Sequence, residues 1–151
     1  MIKSILIVCI GNICRSPMAA ALLAQELPDV ELRSAGIDAL IGQPAAPYSI
    51  ELMQRRDIDI SAHRAQQLQA WQCEIADLIL VMDTRQKQIV EEQYPTTRGK
   101  LYRLGQYGKF DVFDPYRLDR DQFEDCLRLI EQGVADWVSR IHSINQSLPE
   151  Y

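Results

Sequence analysis

The chain has 151 residues, of which 47% are hydrophobic and 25% are charged, and its formal net charge at pH 7 is −5. This length suits a single domain over residues 1–151, and the composition excludes a disordered chain. The acidic balance argues against a nucleic-acid partner, and no apolar run is long enough for membrane insertion. The four cysteines are sparse and lack CxxC spacing, which favours a reducing, cytoplasmic location.

The N-terminal half begins with a short, β-branched apolar run that predicts a strand at residues 3–9. Ser16, as a hydroxyl N-cap followed by proline at the first helical position, predicts a helix that stops near Pro28. A second strand is predicted at residues 30–34, and a helix over residues 47–56. Strand and helix therefore alternate from the start of the chain.

The C-terminal half continues this alternation. A continuous apolar run predicts a strand at residues 77–82, and Thr84 is the candidate cap of a helix that ends before Pro95. Residues 101–104 predict a short fourth strand.

The last helix has the clearest pattern, because apolar residues recur every three or four positions between Phe123 and Ile141. Asp121 and Glu124 fit a capping box at its start. Strands that alternate with helices predict an α/β fold with a parallel sheet and helices on both faces. In such sheets the ligand lies at the carboxyl ends of the strands, which points to the loop after the first strand.

That loop, residues 9–17, reads CIGNICRSP. Cys9 stands six positions before Arg15, a spacing that chance also produces, but here it joins a buried strand to a helix start. Backbone N–H groups at a helix N-terminus bind anions. Gly11 allows tight curvature and Asn12 tolerates a left-handed conformation, so successive N–H groups can form an anion nest.

The side chains of this loop suit phosphoryl transfer. At the base of the nest, positive potential favours the thiolate of Cys9, a strong nucleophile toward phosphorus. The planar fork of Arg15 can pair with two phosphate oxygens, and Ser16 can donate a hydrogen bond to the sulfur. Read alone, Cys9 is a small buried hydrophobe at a strand end, and only its context argues otherwise. The predicted phosphate-binding residues, here named the phosphate loop, are Ile10, Gly11, Asn12, Ile13, Cys14, Arg15 and Ser16.

The loop resembles the signature of the low-molecular-weight protein tyrosine phosphatases, in a bacterial form. Three later segments are similar to that family in order and spacing: residues 34–36 (SAG), 61–65 (SAHRA) and 114–116 (DPY). The resemblance implies a single phosphatase domain with a four-stranded parallel sheet in flavodoxin-like doubly wound order. It also implies a phosphocysteine mechanism that uses no metal and no cofactor.

Expelling the phenolate of phosphotyrosine at neutral pH calls for a proton donor, because the phenol has a pKa of about 10. By resemblance this donor is Asp114, which then serves as the base for the attacking water. An arbitrary Asp-Pro pair is more often a turn, so the assignment depends on the family match. Asp111 lies close by, and spacing alone leaves it open.

The resemblance also assigns supporting roles. Tyr116 would stack on the substrate ring, and Ile10 and Leu40 would complete an apolar rim, although animal enzymes of the family tend to carry an aromatic residue where Leu40 stands. His142 is expected on the surface, and two isolated histidines predict no metal site. The residues expected to hold the loop by hydrogen bonds are Asn12, Ser16, Ser34 and His63.

Two other enzyme classes of this fold stay open as alternatives. In a phosphoarginine phosphatase, threonine at the position of Ile13 suits the polar guanidinium better than isoleucine does. A thioredoxin-coupled arsenate reductase needs two further cysteines close in sequence, whereas Cys73 is followed only by the distant Cys126. A phosphoryl carrier would not need Arg15 or Asp114, and a phosphopeptide-binding module would not need the cysteine.

The expected partner is a phosphotyrosine protein, with a bacterial tyrosine autokinase that controls polysaccharide export as the leading candidate.

Cys14 lies in the same loop as the nucleophile, and we expect it to capture oxidised Cys9 as a disulfide. The alternative for Cys14 is a small residue that only packs in the loop.

Overall fold

The computed structural model describes residues 1–147, which contain four strands and five α-helices. The strands are β1 (Ser4–Cys9), β2 (Glu31–Gly36), β3 (Leu78–Val81) and β4 (Leu101–Arg103). The helices are α1 (Arg15–Glu26), α2 (Pro47–Gln54), α3 (Ala70–Ile75), α4 (Thr84–Gln93) and α5 (Arg120–Gln146), with a 3₁₀ turn at Pro95–Thr97.

The sheet has the strand order β2-β1-β3-β4, and every neighbouring pair is parallel. Ile7 in β1 pairs with Ser34 of β2 on one side and Leu80 of β3 on the other. The predicted four-stranded parallel sheet of flavodoxin-like order is therefore confirmed.

Helices cover both faces of the sheet, as predicted. Ile5 and Ile7 of β1 pack in a core with α1, α2 and α5, whereas Leu6 and Val8 pack on the opposite face with α3 and α4. This alternation follows from the two-residue period of a strand. Burial on both faces explains why the sequence of β1 is a continuous apolar run.

The predicted start of α1 was wrong in its details. The helix begins at Arg15 with Cys14 at the N-cap position and no side-chain cap, and Pro17 is the third helical residue. The Ser16 hydroxyl contacts the sulfur of Cys9 and the side-chain amide of Asn12 instead. The backbone N–H groups of the first turn therefore have no side-chain cap.

The caps of the two later helices were also assigned wrongly. Asp83 caps α4 by accepting a 2.7 Å hydrogen bond from the backbone N–H of Gln86, so Thr84 is the first helical residue. Both candidates are good caps by type, and the one used is Asp83, which lies two residues after the end of β3 and has an extended backbone.

The cap of α5 is Asp119, whose carboxylate accepts a 3.0 Å hydrogen bond from the backbone N–H of Gln122. Asp121 and Glu124 lie inside the helix and form no capping box. Helix α3 was not predicted, because six residues are too few to show a helical period.

The end of β2 and the phosphate loop approach each other closely. A Cβ atom on Gly36 would lie 2.5 Å from the carbonyl oxygen of Ile10, so this position requires glycine. The carboxyl ends of β1, β2 and β3 therefore meet at one edge of the sheet. Among residues 1–147, no helix has the length and apolar character needed to cross a bilayer.

Candidate active site

The phosphate loop curls back over Cys9, the residue that precedes it. Asn12 has a left-handed backbone with a φ of 60°, and its N–H lies 3.3 Å from Cys9 Sγ. Gly11 lies outside the left-handed region, and a Cβ there would make only ordinary contacts. The tight turn therefore depends on Asn12, as predicted, and not on a special conformation of Gly11.

Asn12 is completely buried and holds the loop with both ends of its side chain. Its Nδ2 donates to Ser16 Oγ at 2.7 Å and to Ser34 Oγ at 3.0 Å. Its Oδ1 accepts a 2.9 Å bond from the N–H of Gln66, a contact that the sequence did not predict. His63 Nε2 donates to the Asn12 carbonyl at 2.6 Å. The structure thus brings the four predicted network residues together.

His63 is half-buried, and this burial lowers its pKa below the ordinary value. The ring is therefore neutral at pH 7. Because the Asn12 carbonyl can only accept, the single ring proton lies on Nε2.

The sulfur of Cys9 lies at the floor of this loop, and the residue is only 2% exposed. Ser16 Oγ is 2.9 Å from the sulfur. Since Ser16 Oγ already accepts from Asn12 Nδ2, its own hydrogen is free to point at the sulfur. The Ser16 hydroxyl and the N–H of Asn12 thus both point at the sulfur.

Arg15 is the largest polar side chain in the interior and is 2% exposed. One guanidinium nitrogen donates to the Val112 carbonyl at 2.9 Å and lies 3.7 Å from Asp83 Oδ2. The other terminal nitrogen lies 3.7 Å from Asp114 Oδ2, and Nε makes no hydrogen bond within residues 1–147. The guanidinium is therefore fixed in place but keeps donors for an anion.

The structure distinguishes the two candidate acids. Asp114 lines the cleft above Cys9, and its Oδ1 accepts a 3.0 Å bond from the N–H of Tyr116. Asp111 points elsewhere and forms a 2.8 Å ion pair with Arg103. Of these two, Asp114 is the one placed to reach a group bound over the sulfur.

The cleft has a volume of about 190 Å³. All three predicted wall residues line it, and so do Ile13 and an unpredicted carboxylate, Asp38. No motif marks Asp38. Asp83, also missed, lies two residues after the end of β3, and the rule that ligands bind at strand ends could have found it. The lining residues are Cys9, Ile10, Gly11, Ile13, Cys14, Arg15, Asp38, Leu40, Asp114 and Tyr116.

Cys14 and Cys126 are buried thiols near the same site. Burial raises the pKa of Cys14 to about 12, and the neighbouring charge of Cys9 adds to this shift. Burial likewise raises the pKa of Cys126 to about 12. Both are therefore neutral at pH 7 and weak nucleophiles.

His142 is on the surface, as expected, and residues 1–147 contain no cluster of three metal-ligating side chains.

The chain is similar to known proteins over nearly its whole length. Residues 4–147 match the family model described as low molecular weight phosphotyrosine protein phosphatase. The chain is 54% identical over 144 residues to the probable low molecular weight protein-tyrosine-phosphatase EpsP of Ralstonia nicotianae, covering 95% of this chain and 99% of that one.

Two solved structures have the same fold. Vibrio vulnificus Wzb in complex with benzylphosphonate superposes with a TM-score of 0.90 at 36% identity, covering 93% of this chain and 99% of that one. The YwlE arginine phosphatase of Geobacillus stearothermophilus superposes with a TM-score of 0.92 at 29% identity, covering 99% of each chain. The fold alone therefore does not separate tyrosine from arginine phosphatases. The family match over residues 4–147 and the 54% identity to EpsP show that the chain belongs to the bacterial low molecular weight protein-tyrosine-phosphatases, which are phosphoric monoester hydrolases.

Proposed function

We propose that the chain, as one domain over residues 1–151, hydrolyses protein phosphotyrosine by way of a phosphocysteine on Cys9. The observation that carries this proposal is the sulfur at the floor of the cleft, with Ser16 Oγ at 2.9 Å and the buried guanidinium of Arg15 alongside. In the first step the Cys9 thiolate attacks phosphorus, the bond from phosphorus to the tyrosine oxygen breaks, and Asp114 gives its proton to that oxygen.

The second step regenerates the enzyme. The Asp114 carboxylate takes a proton from water, the water oxygen attacks phosphorus, and the sulfur–phosphorus bond breaks. Inorganic phosphate leaves and the Cys9 thiolate is restored. Arg15 and the backbone N–H groups of the phosphate loop stabilise the charge on the equatorial oxygens in both transition states.

The walls of the cleft favour an aromatic leaving group. Ile13 lines the cleft, and its branched apolar side chain cannot donate a hydrogen bond to a guanidinium. An aromatic ring needs no hydrogen bond from this wall, and it gains apolar contact with Ile13 and Tyr116. Phosphoserine is disfavoured because its short arm would not bring phosphate to the floor.

We expect wild-type enzyme to prefer phosphotyrosine over phosphoarginine by about tenfold or more, since a buried unpaired polar group costs about 1–3 kcal/mol. The measurement is kcat/KM on matched phosphopeptides, with a chelator present as a control for metal-dependent contaminants. Ile13→Thr should lower the ratio of kcat/KM for phosphotyrosine to kcat/KM for phosphoarginine. A wild-type enzyme that favours phosphoarginine would overturn the tyrosine assignment and leave the phosphocysteine mechanism intact.

We also propose that Cys14 protects the nucleophile. Peroxide oxidises the Cys9 thiolate to sulfenic acid; the Cys14 thiol then attacks that sulfur, a disulfide forms and water leaves. Because the pKa of Cys14 is raised to about 12, its thiolate fraction is small at pH 7 and rises about tenfold per pH unit.

We therefore expect wild type treated with peroxide to recover its activity on adding a thiol, and capture to be faster at pH 8 than at pH 7. Cys14→Ser should recover poorly, because its sulfenic acid oxidises further to irreversible forms. Recovery measured in both proteins after the same peroxide dose tests this, and equal recovery would show that Cys14 only packs in the loop.

For the physiological partner we propose a tyrosine-phosphorylated protein, with a tyrosine autokinase that controls polysaccharide export as the leading candidate. Bacterial relatives of this family often act on such kinases. We further propose a cytoplasmic location, since all four cysteines are free and buried, which suits a reducing compartment.

A further inference from the structure

An apolar groove continues from the cleft along the surface. Its walls come from residues 40–50 and 116–123. Ile13, Leu40 and Tyr116 line both the cleft and the groove, so the two are continuous. The groove has a volume of about 1320 Å³, against about 190 Å³ for the cleft. A single phosphorylated ring therefore fills the cleft but leaves the groove open.

Exposed apolar side chains are concentrated in this groove. Of the nine large hydrophobic residues exposed within residues 1–147, five line it. Ile41 is 70% exposed, Leu118 46% and Tyr48 39%, and the other two are Leu40 and Tyr116. A contiguous apolar surface beside an active site marks a binding surface.

The loop that carries Ile41 is held in place by backbone hydrogen bonds. The N–H of Leu40 donates to the Gly11 carbonyl at 3.1 Å, and the N–H of Gly42 donates to the Ala65 carbonyl at 2.9 Å. Ile41 is thus fixed between two anchored neighbours and presented to solvent. A partner that binds there does not have to order the loop first.

We propose that this groove, here named the flanking groove, binds the stretch of substrate polypeptide next to the phosphotyrosine and prefers a large apolar side chain there. The proposal rests on the proposed function, because the phosphotyrosine ring in the cleft brings the adjoining chain to the groove. An extended chain advances about 3.3 Å per residue, so four residues reach about 13 Å from the phosphotyrosine, and we place the favoured side chain within that reach.

Two other candidate occupants, an anionic membrane and a second copy of the chain, fit the flanking groove less well. An anionic membrane attracts clusters of basic residues, whereas among residues 1–147 Arg117 is the only Lys or Arg that lines the flanking groove. A second copy of the chain seated there would lie across the mouth of the cleft, because the two share Leu40 and Tyr116. A substrate peptide is the occupant that uses groove and cleft together.

The test uses phosphotyrosine peptides in a serine-glycine background, with one leucine placed in turn at each position from four residues before to four after the phosphotyrosine. At one position or more, leucine should raise wild-type kcat/KM by about tenfold, the effect expected when one leucine side chain leaves water for an apolar site. In the double variant Ile41→Ser/Leu118→Ser this gain should disappear. The matched control is Ile75→Ser on α3, where an isoleucine 46% exposed lies outside the groove and the gain should persist.

Hydrolysis of para-nitrophenyl phosphate, which fills only the cleft, should be the same in all three proteins and reports that the variants are folded. If wild type hydrolyses it but leucine has no effect at any position, or if the gain survives in the double variant, the flanking groove proposal is wrong and the proposed function stands. If wild type does not hydrolyse it, both fail. Sedimentation that shows a wild-type dimer and a monomeric double variant would assign the groove to a second copy and likewise overturn the proposal.

Discussion

Replacing Cys9 with serine should abolish phosphotyrosine turnover and leave phosphate binding in place. In the described part of the chain, residues 1–147, the groups within hydrogen-bonding distance of this sulfur are Ser16 Oγ and the N–H of Asn12, and neither is a base. A serine hydroxyl at this position therefore stays protonated and cannot attack phosphorus. The N–H groups of the loop and Arg15 remain, so an oxyanion still binds.

The readouts are the steady-state rate of phosphate release and the affinity for vanadate, with circular dichroism to verify folding. Cys73→Ser is the matched control, since Cys73 is also a buried cysteine but packs against the opposite face of the sheet. It should keep its turnover. Near wild-type turnover in Cys9→Ser would exclude Cys9 as the nucleophile.

Replacing Asp114 with alanine should slow phosphotyrosine hydrolysis by about 10²–10⁴-fold, the usual contribution of a general acid. Asp114 lines the cleft and lies 3.7 Å from the Arg15 guanidinium, so its carboxyl group can reach the bridging oxygen of a bound substrate. In kcat/KM, which reports the first step only, the loss should be smaller for an activated leaving group such as nitrophenol, because this group departs without full protonation.

Asp111→Ala is the matched control for this experiment. Asp111 pairs with Arg103 outside the cleft, so its removal should change kcat only slightly. Comparing kcat/KM on phosphotyrosine and on para-nitrophenyl phosphate separates the two roles open to Asp114, because kcat/KM reports the first step and not hydrolysis of the phosphocysteine. Equal losses of kcat/KM on both substrates would mean that Asp114 only supports the structure.

The fold and the centre of the site were predictable because their signals are local. A continuous apolar run marks β1. The centre of the site lies in one short segment from Cys9 to Arg15, so the role of each side chain could be predicted from its residue type and its position in that segment. Asn12 shows this best: its left-handed backbone was expected from its residue type, and its φ of 60° agrees.

What the sequence did not reveal depends on contacts between distant segments. Gln66 donates to Asn12, and Asp83 lies beside Arg15, yet neither pair has a recognisable spacing. The predicted starts of the helices were wrong for another reason. Asp83 and Thr84 are both good caps, and which of them is used depends on where the chain turns after β3.

The most direct test of the central claim is to trap the phosphocysteine. In Asp114→Ala the first step with para-nitrophenyl phosphate needs little acid assistance, whereas hydrolysis of the intermediate lacks its base, so phosphoenzyme should accumulate. Rapid quenching followed by peptide mass spectrometry should find one phosphoryl group on Cys9, and none in Cys9→Ser. Phosphate on another residue, or none on Cys9 while nitrophenol is released in a burst, would contradict the mechanism.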